Sequence, residues 1–253
     1  GSPKLRFEGV KPTGPLPDSI DFALYRRPEP EKFSALFFGD TQPRDLREVD
    51  YIARDTVEPL ANTNEKFDFG VTLGDIVFDD LSVTEPLVGV IGLIGIPWYY
   101  VLGNHDINYD VPDDEHSDEH WERHFGPNYY SFGHGPAHFV VLDDVVWVGK
   151  ENAQKADPKR ANGFYRAALG KTQLDWLRND LAAVPAGKLV VLMMHIPMDE
   201  IEDRGELFKI LADRPYSLSV SAHTHFQEHR FFTDKDGWLR PEPHHHVVNV
   251  TTC

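Results

Sequence analysis

The stretch Tyr99-Tyr100-Val101-Leu102-Gly103-Asn104-His105-Asp106 decides the fold prediction for this chain. An apolar run of strand length ends there in a glycine, and three side chains that can bind metal ions or move protons follow at once. Open α/β sheets place their ligands at strand ends of this kind. The stretch therefore predicts a buried strand that leads into a functional site.

Four other parts of the sequence repeat this pattern with different polar residues. They are residues 33–38 before Gly39-Asp40-Thr41-Gln42, residues 67–73 before Gly74-Asp75, residues 188–194 before His195, and residues 217–221 before Ala222-His223-Thr224-His225. Because segments with helical spacing separate several of these strands, we expect a mainly parallel α/β fold whose strand ends meet along one edge. The polar residues collected at that edge are Asp40, Gln42, Asp75, Asn104, His105, His195, His223 and His225.

The remaining elements are predicted from local patterns. Helices are expected at 46–60, 86–94 and 172–184. Thr172 and Asp175 resemble a capping box at the start of the third helix, and the glycines at every third position of the second would permit close packing. Further strands are expected at 129–132, 138–142, 226–233 and 247–252.

Composition excludes several classes of protein. With 253 residues and 41% hydrophobic content, the chain can bury a full core. Its most apolar stretch, residues 87–102, is too short and too rich in glycine to span a bilayer, so we expect no membrane span. The net charge of −16 would repel a nucleic-acid backbone, so no nucleic-acid partner is expected. Cys253 is the only cysteine, which excludes a disulfide within the chain.

The ends of the chain suggest a part of a larger protein. Residues 1–32 are rich in proline and are expected to form a linker or strap, whereas residues 33–253 are expected to form the main domain that carries the candidate site. The last predicted strand stops without a turn, which favours a domain of a longer polypeptide that is truncated at its C-terminus. Localisation stays open: Gly1-Ser2 is typical of a cloning remnant, and a removed signal segment would be compatible with a periplasmic or secreted protein.

The collected side chains suit transition-metal ions. Carboxylates, amide oxygens and imidazoles form a mixed oxygen and nitrogen set that matches calcium poorly. Since there are more candidate ligands than one ion needs, two metal ions are expected, and such a pair can clamp a phosphoryl group. Simpler interpretations stay open for single residues: Asp40 and Asp75 could be helix N-caps, Asn104 a turn residue, and His195 a core histidine. Together these interpretations would require a coincidence at each of the five strand ends.

The ordered motifs resemble those of the calcineurin-like metallophosphoesterases. The motifs are Gly39-Asp40-x-Gln42, Gly74-Asp75, Gly103-Asn104-His105-Asp106, His195 and His223-Thr224-His225. The resemblance implies a four-layer α/β/β/α sandwich of two mixed sheets with a dinuclear metal site at their edge. It also implies that Asp75 bridges the ions, that Asp40, Gln42 and His225 complete one site, and that Asn104, His195 and His223 complete the other. His105 would stand outside this set as the proton donor or as a group that stabilises the phosphoryl oxygens.

The sequence departs from the usual family pattern at three positions. Gln42 replaces a histidine, which favours harder ions, and Ala222 replaces a glycine. Phe78 stands where phosphatases of the family carry the aspartate that orients the histidine, so Asp79, Asp80 or Asp106 would have to serve His105.

Two further features are open to more than one reading. Arg44 is either a phosphate-binding residue or an ordinary surface arginine. We expect the run His244-His245-His246 to be solvated or a weak adventitious site, and we leave it out of the ligand set.

The prediction is an enzyme that hydrolyses a small phosphorylated substrate, a phosphate mono- or diester, through two metal ions (Mn, Fe, Zn or Mg) and a bridging hydroxide. The alternative is a non-catalytic metal-binding module in which Gln42 marks a degraded site.

Overall fold

The computed structural model describes residues 15, 28–157, 159 and 164–252. Most of the predicted linker or strap at 1–32, together with Cys253, lies outside these residues. From the described end of that segment, the Glu29 carboxylate accepts a hydrogen bond from the Gly135 backbone at 2.8 Å.

The chain alternates strands and helices as expected. The strands are β1 Ala35–Phe38, β2 Phe69–Leu73, β3 Trp98–Val101, β4 Tyr130–His134, β5 Ala137–Val141, β6 Val145–Trp147, β7 Tyr165–Ala167, β8 Leu189–Met193, β9 Ser217–Ser221, β10 Glu228–Phe232 and β11 His244–Val248. The helices are α1 Leu46–Ile52, α2 Glu58–Ala61, α3 Thr84–Ile91, α4 Glu119–Phe125, α5 Lys150–Ala156, α6 Gly170–Ala182 and α7 Arg204–Leu211. A π-helical segment, Ala53–Val57, joins α1 to α2, so the helix predicted at 46–60 is confirmed.

Two main sheets carry the fold. The smaller one has the order β1-β2-β3 and is parallel between its described strands. The larger one has the order β10-β11-β9-β8-β5-β4, with a parallel centre and an antiparallel strand at each edge. Strands β6 and β7 form a separate antiparallel pair.

Alternating side chains hold the layers together. In β8, Val191 and Met193 pack between the two sheets with Val71 of β2, whereas Val190 and Leu192 face helices α6 and α7 on the outside. Helices α1, α3 and α4 cover the outer face of the smaller sheet. Because strand side chains alternate between faces, each central strand contributes to two cores. This arrangement confirms the predicted four-layer α/β/β/α fold.

Two local helix predictions are wrong. Helix α6 starts at Gly170, before the proposed capping box at Thr172, and the Asp203 carboxylate accepts hydrogen bonds from the backbone of Leu169 and Gly170 at 3.0 and 2.8 Å. In α3 and the turn after it, a methyl group added at Gly89 or Gly92 would meet nothing within 4 Å. These glycines therefore face open space and do not permit close packing.

The histidine run is also different from the prediction. Strand β11 begins at His244, and His244 and His246 are buried, whereas His245 is on the opposite side of the strand. Their rings alternate with three hydroxyls of β9 in a hydrogen-bonded chain, which we call the serine–histidine ladder: Ser217, His244, Ser219, His246 and Ser221. The four distances along it are 3.0, 2.8, 2.7 and 2.9 Å. Burial lowers the pKa of His244 to about 4 and that of His246 to about 3, so both rings are neutral near pH 7.

After β11 the chain reaches back to the smaller sheet. The Asn249 side chain donates to the Phe37 carbonyl at 3.0 Å, and the Thr252 backbone donates to the Gly39 carbonyl at 2.9 Å. In the part of the chain that the structure describes, no helix has the length and apolar character needed to cross a membrane.

Candidate metal centre

Five strand ends meet at one edge of the two sheets. The loops after β1, β2 and β3 come from the smaller sheet, and those after β8 and β9 come from the larger one. Two motif glycines permit this approach. A Cβ atom at Gly103 would lie 2.0 Å from the Asp75 backbone nitrogen, and one at Gly74, whose φ is +88°, would lie 2.4 Å from His195 Nδ1. Any larger residue would push these segments apart.

Backbone strain is concentrated in the same loops. Among the described residues, all non-glycine residues with positive φ lie here, namely Asp40 at 23°, Gln42 at 35°, Asp75 at 48°, Asp79 at 61°, His223 at 69° and His225 at 62°. Residues in sparsely populated backbone regions cost about 1 to 3 kcal/mol each and are found mostly at functional sites. The packing of the surrounding fold therefore imposes conformations that these residues would not adopt alone.

His195 is at the centre of the first group of side chains. Its Nδ1 lies 2.8 Å from the Leu73 carbonyl, which can only accept, so Nδ1 carries a proton. In the neutral ring the lone pair is then on Nε2. This atom lies 3.1 Å from Asn104 Oδ1, 3.2 Å from Asp75 Oδ1 and 3.1 Å from His223 Nδ1.

This convergence fits a bound cation. Asp75, His195 and His223 each offer a ligand atom, and these atoms lie within 4.8 Å of one another. In the metal-free protein a proton on His195 can supply the positive charge. Burial acts to lower the pKa of His195, but the Asp75 carboxylate raises this pKa to about 10. Burial acts to raise the pKa of Asp75, but His195 lowers the pKa of that carboxyl below its usual value.

A second group consists of Asp40, Gln42 and His225. Asp40 is buried, its Oδ1 lies 3.6 Å from His225 Nε2, and its Oδ2 accepts a hydrogen bond from the His223 backbone at 3.0 Å. Burial raises the pKa of Asp40 to about 6. The Gln42 amide nitrogen donates to Asp75 Oδ2 at 2.6 Å. Asp75 thus turns one carboxylate oxygen towards each group.

His105 lies beside these groups and is oriented from two sides. Its Nδ1 lies 2.6 Å from Asp79 Oδ1, and its ring stacks on Phe78 with centroids 4.5 Å apart. Its backbone nitrogen donates to Asp75 Oδ1 at 2.9 Å. Of the three carboxylates considered for this histidine, Asp79 is therefore the one in contact.

The other two carboxylates have structural contacts. Asp80 accepts a hydrogen bond from the Ser82 backbone at 3.0 Å and caps a short turn. Asp106 is buried and accepts hydrogen bonds from the backbone of Val77 and Gly103 at 3.1 and 2.8 Å, so it ties the loops after β2 and β3 together.

Two residues near the site are missing from the sequence prediction. Asp144 is buried, and its Oδ2 accepts a hydrogen bond at 2.8 Å from the backbone of Ile196, the residue after His195. Because Asp144 follows the end of β5 at the same edge, the strand-end pattern could have indicated it. The Tyr109 hydroxyl donates to the Asn104 carbonyl, a contact that no sequence pattern indicates.

Comparisons with known proteins identify the family to which this fold belongs. The calcineurin-like phosphoesterase family matches residues 33–227, and the chain belongs to this family. A dimetal phosphatase from Danio rerio has a similar fold, with a TM-score of 0.59 and 15% identity over 87% of each chain. Phosphopantetheinyl hydrolase (PptH) from Mycobacterium tuberculosis aligns over 86% of this chain and 89% of its own, with a TM-score of 0.45 and 10% identity. A comparison with curated proteins found no match.

Proposed function

We propose that this protein hydrolyses a phosphate mono- or diester and that it holds two metal ions while doing so. In this proposal Asp75 lies between the ions. Asp40, Gln42 and His225 hold one of them, and Asn104, His195 and His223 hold the other. The observation that carries the proposal is the convergence of unlike donor atoms on His195 Nε2, together with the two oxygens of Asp75 that face separate groups.

The bound ions would polarise the phosphoryl oxygens and lower the pKa of an attacking water. The protein supplies the remaining steps. Asp79 accepts a hydrogen bond from His105 Nδ1, so in the doubly protonated ring Nε2 carries the second proton and would give it to the leaving oxygen. Phe78 holds the plane of the ring. Ligands that are amide or carboxylate oxygens, as in the group with Gln42, favour Mn, Mg or Fe over softer ions.

The test joins metal content with turnover. Purified protein loaded with Mn²⁺ should contain about two ions per chain and should hydrolyse at least one of a nitrophenyl phosphate monoester, a nitrophenyl diester or a pyrophosphate. A His105→Ala variant should keep both ions and lose turnover by about 100-fold or more, the usual contribution of a general acid. Unchanged turnover would remove His105 from the mechanism.

His116→Ala is the matched control, because His116 pairs with Asp113 at the same 2.6 Å but lies on an exposed segment outside the site. It should leave turnover and metal content unchanged. If the loaded wild-type protein were inert on monoesters, diesters and pyrophosphates alike, the non-catalytic metal-binding module would replace this proposal.

A further inference from the structure

A cavity of about 430 Å³ opens beside the second group of candidate ligands. Asp40, Gln42 and His225 form its wall at the strand ends, and Arg44, Glu48 and Tyr51 form the wall along α1. This volume lies in the range of about 300 to 1,000 Å³ found for small-molecule pockets. The cavity is therefore large enough to receive part of a leaving group in addition to the phosphoryl group.

Arg44 is in a position that helix electrostatics does not favour. It directly precedes Asp45, the N-cap of α1, and a positive charge at a helix N-terminus opposes the helix dipole. Its guanidinium lies over the Phe78 ring, 5.0 Å from the ring centroid, and that same ring stacks on His105. Phe78 therefore holds Arg44 close to the candidate proton donor.

The charge of Arg44 is accessible to a ligand. Its side chain is 68% exposed, and its ion pair with Glu48 is long, at 3.9 Å. The Glu48 carboxylate is nearer to the Arg44 backbone nitrogen, from which it accepts a hydrogen bond at 2.6 Å. Among the described residues that line the cavity, Arg44 is the only lysine or arginine.

We propose that Arg44 binds a second oxyanion on the leaving group, a carboxylate or a further phosphoryl group, while the first phosphoryl group reacts. The planar guanidinium suits such groups because it can donate two parallel hydrogen bonds. The protein would then prefer phosphate esters whose leaving group is itself anionic. This preference rests on the proposed phosphoesterase function and adds the substrate class to it.

A matched pair of esters tests the proposal. Glycerol 3-phosphate and 3-phosphoglycerate share a three-carbon skeleton, and the second carries a carboxylate where the first carries a hydroxymethyl group. Their affinities for Mn²⁺-loaded protein are measured by calorimetry and as inhibition constants against nitrophenyl phosphate hydrolysis. Wild-type protein should bind 3-phosphoglycerate more tightly, and Arg44→Ala should reduce the affinity ratio by about tenfold to a hundredfold, as expected for charged hydrogen bonds.

Three variants separate recognition from general charge effects. Arg47→Ala removes an equally exposed charge from the first turn of α1, outside the cavity lining, and should leave the ratio unchanged. Arg44→Lys should give an intermediate ratio, because lysine keeps the charge but cannot donate two parallel hydrogen bonds. Glu48→Gln should raise the ratio, because Glu48 no longer competes for the guanidinium.

The two proposals fail in different ways. If the wild-type protein binds both esters equally, or if Arg44→Ala keeps the wild-type ratio, the role of Arg44 is refuted while phosphoesterase activity stands. If no ester is hydrolysed, the proposed function fails, and the calorimetric ratio still decides whether Arg44 recognises the second anion.

Discussion

Replacing Ser219 with alanine should destabilise the fold by about 2 to 6 kcal/mol. The hydroxyl lies 2.8 Å from His244 Nε2 and 2.7 Å from His246 Nδ1, so a single oxygen serves two buried rings. Its removal leaves one nitrogen on each ring without a partner, and an unsatisfied buried polar group costs about 1 to 3 kcal/mol. The change in volume is small, so cavity formation adds little.

Urea unfolding at pH 7.5, monitored by circular dichroism, measures this effect. Ser217→Ala is the control, since Ser217 is half-buried at the end of the ladder and contacts only one of the two rings, His244, at 3.0 Å. It should cost about 1 kcal/mol. A loss below about 1 kcal/mol in Ser219→Ala would show that water or a ring rotation satisfies both histidines, and the reasoning would be refuted.

Three other predictions follow from the structure. Burial lowers the pKa of His244 to about 4 and that of His246 to about 3. The free energy of unfolding should therefore be highest above about pH 6.5, the pKa of a histidine in the unfolded chain, and should fall as the pH drops towards 4 and then 3. This amounts to about 2 kcal/mol per ring between pH 7 and pH 5, and a His246→Asn variant should lose about half of that dependence in urea titrations at the two pH values. Asp203→Ala should lower the free energy of unfolding in urea by about 1 kcal/mol because it removes the cap of α6, whereas Thr172→Ala should change it by less than about 0.5 kcal/mol. A larger loss in Thr172→Ala than in Asp203→Ala would support the capping box at Thr172. Gln42→His should raise the affinity for Zn²⁺ relative to Mn²⁺ in competition assays because it replaces an amide with an imidazole, and an unchanged ratio would argue against Gln42 as a ligand.

Much of the fold could be predicted because it depends on local patterns. Strands such as β8 are short apolar runs with a polar residue shortly after them, and the alternation with helices indicates parallel strands. The parallel order places the strand ends of each sheet at one edge. The packing of the two sheets against each other then brings Asp75 and His195 together, although they are far apart in sequence.

The features that could not be predicted depend on contacts between distant segments. The cap of α6 comes from Asp203, beyond the far end of the helix, and no pattern near Thr172 reveals it. The sequence predicts a solvated histidine run, because the burial of His244 and His246 depends on hydroxyls from a neighbouring strand in the correct register. The partner of His105 could not be chosen among nearby carboxylates, because the choice depends on the left-handed backbone of Asp79.

The strained loops imply a conflict between stability and function. In the described part of the chain, six non-glycine residues have positive φ, and five of them are candidate metal ligands. Glycine would adopt these conformations at little cost. Replacing His225, whose side chain is 47% exposed, with glycine should therefore make the metal-free fold more stable while it removes a ligand. A relative that has lost its chemistry would gain stability from the same change. For protein engineers, this means that the ligand set cannot be transferred to another scaffold as side chains alone, because the receiving backbone must also hold these left-handed conformations.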